Sequence, residues 1–113
     1  MGLPSEIQME LENAELARAE GNVGRARVCA RRAAGMAVRD YFARQGVRPR
    51  SSSAYELLRL VADDPAVPAD LREYAAHLTL RVDEEFSLPT GIDLIAEARA
   101  LCMRLSAQPK AAG

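Results

Sequence analysis

Tryptophan is absent from this 113-residue chain, and the aromatic residues are three Tyr and two Phe. β-branched residues are scarce as well, at seven Val, three Ile and two Thr. With so few side chains suited to a pleated surface, and no sustained alternation of apolar and polar residues, a β fold is excluded. Cys29 and Cys102 stand alone, with no CxxC partner and no clustered His, which argues against a disulfide framework and a metal site. They read as buried thiols in a reducing compartment. No uncharged apolar run reaches the roughly 18 residues that a membrane span needs. The amino-terminal MGLPSE lacks the charged and apolar regions of a secretory signal, and Glu6 stands where a myristoylation pattern needs Ser or Thr. A soluble, cytoplasmic protein without membrane association is expected. A Gly-rich phosphate loop, HExxH, an EF-hand and a paired-carboxylate motif are all missing, so no cofactor is expected either.

Alanine is abundant. It supplies 21 residues, and although it is the best helix former, each copy buries little surface. A chain of 12.3 kDa has room for one domain, expected over residues 1–106 with a flexible carboxy-terminal tail at 107–113. Its core must be modest, and either close helix contact or a second subunit would compensate. A homodimer is therefore expected. Charge is unevenly spread: residues 1–20 hold five Glu against one Arg, and residues 21–50 hold eight Arg against one Asp. The remainder is acidic again, and the net charge is −1.

Five helices can be read along the chain. Ser5 with Gln8 forms a capping box that opens the first, which Gly21-Asn22 stops. Asn22 caps the second, running to about Gln45 and ending at Gly46, with a seam of Val23, Ala26, Ala30, Ala33, Ala37 and Tyr41. After the breaker-rich Arg48-Pro49-Arg50-Ser51-Ser52, Ser53 and Glu56 make a second capping box, with Ala54, Leu57, Leu58 and Val61 inside. Asp63-Asp64-Pro65 ends that helix. Pro68 suits the first turn of a fourth, which faces inward through Leu71, Tyr74, Ala75, Leu78 and Val82. A connection follows from Asp83 to Gly91. Thr90 and Asp93 start the fifth helix, amphipathic through Leu94, Ile95, Ala98, Leu101, Cys102 and Leu105. Short connections make neighbouring helices antiparallel, so the expected fold is all-α, an up-and-down bundle of four to five helices.

The order and lengths of these segments resemble the HEPN family of small helical-bundle proteins. The likeness runs over about residues 6–105 and is carried by GN-x-GRAR at the first turn and the Ser-capped Tyr55-Glu56-Leu57-Leu58. LREYAAHLTLRVDEEF and the proline-led last helix LPTGIDLIAEARAL complete it. The resemblance implies a dimeric bundle, in many members a ribonuclease of toxin–antitoxin systems paired with a small nucleotidyltransferase. Other members have no catalytic residues and bind RNA or nucleotides. The family's catalytic mark, an Arg followed after four to six residues by His, is matched in spacing by Arg72 and His77. In such a site His77 would act as general acid or base on a ribose 2′-hydroxyl, and Arg72 would stabilise phosphate charge. This chain departs from the pattern after Arg72, where Glu73 places a carboxylate and active members carry a neutral polar residue. Five residues also turn about 140° on a regular helix, so the two side chains leave on different flanks. A metal-independent ribonuclease using this pair is thus the alternative, and a non-catalytic component the leading expectation.

Arg25, Arg32 and Arg39 recur every seven residues and form one stripe on the second helix, opposite the alanine seam. Such a stripe suits contact with a phosphate backbone, with binding that weakens steeply in salt. Pairing with Glu6, Glu10, Glu12 and Glu15 of the first helix, and with Asp and Glu elsewhere, is the competing expectation. AELARAEGNVGRARVCARRAAGMA also looks like one tetratricopeptide-type hairpin, with no matching copy at residues 50–85. That likeness gives a third expectation, a protein-interaction adaptor.

Overall fold

Residues 2–80 and 92–107 are described by the computed structural model. They form five α-helices and no strand: α1 (Ser5–Ala19), α2 (Val23–Arg44), α3 (Ala54–Ala62), α4 (Ala69–Leu78) and α5 (Leu94–Ser106). The expected connection over 83–91, with Val82, Thr90 and the acids Asp83, Glu84 and Glu85, lies outside the described residues. So does the tail beyond residue 107.

The helix ends follow from backbone chemistry. At the close of α1, Gly21 takes φ +80°, which lets its N–H reach the Arg18 carbonyl and the Asn22 N–H reach that of Ala17. This pattern satisfies two of the carbonyls a helix end leaves open. Gly46 does the same for α2 at φ +76°, with Val47 N–H on the Phe42 carbonyl. Asn22 then caps α2, its Oδ1 accepting from Arg25 N–H at 3.0 Å. Ser53 caps α3 by accepting from Glu56 N–H, and Asp93 caps α5 by accepting from Ile95 and Ala96 N–H.

Three local expectations are corrected. Ser5 is already helical, and Pro4 occupies the cap with no side-chain bond, because the proline has non-helical ψ and no N–H to lose. Pro68 likewise precedes α4 as its cap instead of lying in its first turn. At α3 the capping box is half made: the Ser53 N–H donates to Ser51 Oγ at 3.0 Å, so Glu56 is not needed there.

α2 is the hub. It packs against each of the other four helices, and its buried face is broader than the expected seam: Cys29, Ala34, Gly35, Val38 and Phe42 join Ala26, Ala30, Ala33 and Ala37. Small side chains permit this, because several backbones can approach such a helix from different sides. Into the space between them α1 inserts Ile7 and Leu11, α3 Leu57, Leu58 and Val61, and α4 Leu71 and Leu78. All six residues expected on the inner face of α5 are buried. The radius of gyration is 13.7 Å, close to the value of about 13 Å for a packed chain of this length.

Polar contacts fix the sense of several pairs. Glu10 meets Arg32, and Met9 and Met36 line the hollow beside that pair, so α1 and α2 run oppositely as a hairpin. Asp70 with Arg104 and His77 with Glu97 make α4 and α5 antiparallel. α5, however, starts beside Val23 and Ala26 and ends where Arg44 donates to the Leu105 carbonyl. It therefore runs in the same sense as α2, and a simple up-and-down order for all five helices is not what these contacts establish. Among the described residues, no helix is long and apolar enough to cross a membrane.

Candidate nucleic-acid interface

The outer face of α2 follows from its inner one. With nine positions of the helix buried against four neighbours, the residues left over face water, and among them are Arg25, Arg32 and Arg39. Fourteen residues separate the first from the last, so the stripe is about 21 Å long. Arg32 is the one whose guanidinium approaches the acidic first helix, 3.9 Å from Glu10 and still 65% exposed. Arg25 and Arg39 make no ion pair with any described residue. The expected neutralisation by α1 is therefore largely unmet. Glu15, which could have contributed, turns instead to Arg18 at 2.6 Å and Arg99 at 3.8 Å. Arg39 continues into a shallow hollow shared with Arg48, and Arg50 is exposed nearby.

Other arginines of the basic segment serve the fold. Arg31 Nε donates to the Leu78 carbonyl at 2.8 Å, which ties α2 to the last turn of α4, and Arg44 secures the end of α5. The stretch that reads as one basic block thus divides by helix face into structural and solvent-facing groups.

Arg72 and His77 both lie on α4, and no hydrogen bond or ion pair joins them among the described residues. Arg72 is half-buried, with its Nε enclosed and without a hydrogen-bond partner among the described residues. His77 leans toward α5 instead. Its Nδ1 lies 2.6 Å from Glu97 Oε1, and its Nε2 lies 3.7 Å from Glu73 Oε1. Both ring nitrogens thus face carboxylates, one on α5 and one on the same helix. A phosphodiester approaching this imidazole meets two negative groups, which opposes its binding. Sequence spacing could not reveal Glu97: it lies 20 residues on, in another helix.

Cys29 and Cys102 are free and buried, and burial pushes the Cys102 thiol up to about 12. A thiol held neutral in this way is a poor nucleophile and a poor metal ligand. No group of three His, Cys, Asp or Glu side chains among the described residues converges as metal ligands would.

The described residues define the class: an all-helical, five-helix globule with an arginine stripe on the exposed side of its central helix. Compared with known protein families, characterised proteins and solved structures, the chain matches none.

Proposed function

We propose that this chain is a HEPN-like helical-bundle protein without nuclease activity that binds RNA through the outer face of α2. The observation that carries the reading is the exposed stripe of Arg25, Arg32 and Arg39, two of its three guanidiniums lacking a counter-charge among the described residues. In a chain of net charge −1, three aligned cations favour a polyanion at this face and not a general attraction for one. No aromatic side chain interleaves with the stripe, so the contact is to phosphates and tolerates sequence. His77, bracketed by Glu97 and Glu73, supports the non-catalytic half of the reading. The alanine-rich core supports the homodimer that the family likeness implies, and the nucleotidyltransferase partner belongs to the same proposal.

The test is retention of single-stranded and structured RNA by the purified chain across a salt series. Binding should weaken linearly on a logarithmic plot, and Arg25→Gln, Arg32→Gln and Arg39→Gln together should lower the slope by about 2 for a single strand. Affinity at low salt should fall at least tenfold, on the order of 1.4 kcal/mol. Unchanged binding in the triple variant rejects the surface. RNA cleavage that vanishes in His77→Ala would replace the proposal with a ribonuclease using Arg72 and His77. Failure to bind any RNA leaves the adaptor reading in its place.

A further inference from the structure

The outer side of the α1–α2 hairpin carries two stripes of opposite charge. On α1, Glu6, Glu12 and Glu20 are exposed and flank Met9 and Leu16, which are 60% and 61% exposed. On α2 the stripe is Arg25, Arg32 and Arg39, with Val28 exposed between the first two. Both stripes open to one side, because Glu6 and Met9 share a hollow with Arg32 and Met36 in the groove between the helices. They are also equally long: fourteen residues separate Glu6 from Glu20, and fourteen separate Arg25 from Arg39. Each stripe is thus about 21 Å.

Within one copy these charges stay apart. Both stripes project away from the shared core, and Arg32 comes no nearer to Glu10 than 3.9 Å. Glu6, Glu12, Glu20, Arg25 and Arg39 make no ion pair with any described residue. Met9 and Leu16 stand seven residues apart in line, the repeat with which one helix meets another. A foreign cation would satisfy α1 alone, and a polyanion α2 alone. A second copy satisfies both. Two-fold symmetry can stack such faces in two ways. An axis across the hairpin sets α1 on α1 and α2 on α2, like charge on like charge. An axis along the hairpin sets α1 of each copy on α2 of the other, with opposite charges facing. Complementarity selects the second.

We propose that a second copy of this chain docks on the outer face of the α1–α2 hairpin, α1 of each copy antiparallel to α2 of its partner. Met9 and Leu16 then lie on the aliphatic stems of the partner's arginine stripe, whose guanidiniums reach the flanking carboxylates. The inference rests on the homodimer proposed above and gives it a surface. It also regulates the RNA site of that reading. A partner's α1 covers Arg25, Arg32 and Arg39, so RNA and the second copy exclude one another.

The experiment is sedimentation equilibrium of the whole protein and of two charge-reversed variants. One carries Arg25→Glu, Arg32→Glu and Arg39→Glu, the other Glu6→Arg, Glu12→Arg and Glu20→Arg. All six positions are exposed, so both should keep the helical circular dichroism of the parent. The parent should dimerise with a dissociation constant below about 10 μM. Each variant alone should be monomeric, and an equimolar mixture should form a heterodimer, since opposite charges then face at both contacts. Should either variant unfold, Met9→Ser with Leu16→Ser must lose the dimer. A parent that stays monomeric at about 100 μM overturns the surface and the homodimer together. A dimer kept by either charge-reversed variant, or a mixture that stays monomeric, overturns the surface and leaves the homodimer standing. With excess single-stranded RNA the parent should sediment as a monomer–RNA complex, and RNA held by an intact dimer overturns the exclusion. The charge-reversal series contains no RNA, so its outcome is separate from that of the RNA reading.

Discussion

Gly35 is where α2 and α3 come closest. A Cβ added there would stand 2.6 Å from the Cβ of Ala54 and 2.9 Å from its Cα, and at least the second of these is backbone that cannot swing aside. Two effects of Gly35→Ala compete. The helix gains about 1 kcal/mol of propensity, whereas forcing a methyl into a filled contact costs about 1–3 kcal/mol. Because the obstacle is the first residue of α3, the clash wins and the helices must separate. We expect a net loss of up to about 2 kcal/mol, read as a lower midpoint in urea with an unchanged slope. A midpoint equal to or above that of the parent would show that the contact is looser than this geometry.

Each element stands on its ends as much as on its buried face, and α5 shows this most directly. Asp93 satisfies two of its first free N–H groups and also receives Arg18 from α1, so one carboxylate starts the helix and ties it to the hairpin. Asp93→Ala removes both functions. The cap contributes about 1 kcal/mol, the exposed ion pair little more, and the melting temperature should fall by about 4–8 °C. A fall of less than 1 °C would mean water replaces the carboxylate without loss.

Asp93 was legible in the sequence, as were Asn22, Gly21 and Gly46, because capping and left-handed glycine act within a few residues. The inner face of α5 was legible for the same reason: its large apolar residues repeat at helical spacing. α2 was readable in extent but not in breadth. Alanine marks a permitted close approach without saying from how many sides, so Ala34 and Gly35 fall outside the expected seam, although a glycine inside an alanine-rich helix is the available signal. At the candidate sites, the stripe of Arg25, Arg32 and Arg39 could be placed on one face from spacing alone. The Glu97 partner of His77 could not, because it depends on which helices become neighbours.

On the scale of the whole molecule, burial of Cys29 on α2 and Cys102 on α5 turns the two thiols into reporters of global opening. Neither can meet a reagent while the helices around the hub stay packed. The neutral form of Cys102 is additionally favoured by burial, so stability tied to it is complete below the ordinary thiol range. It is lost as pH rises from there toward about 12. At about pH 8, where a free thiol reacts readily, the native protein should resist Ellman's reagent, and both cysteines should react promptly in guanidinium. Rapid labelling of one thiol in the native state would reveal a helix that opens by itself.

The division of α2 into two faces has a consequence for how such a chain can change. One face admits few side chains besides Gly, Ala and Cys, since four helices crowd against it. The other, carrying Arg25, Arg32 and Arg39, touches almost nothing. Mutational drift is therefore channelled: charge on the outer face can be gained, lost or reversed while the scaffold beneath stays the same. The helix that constrains the architecture most is also the one on which new binding preferences can be written most freely.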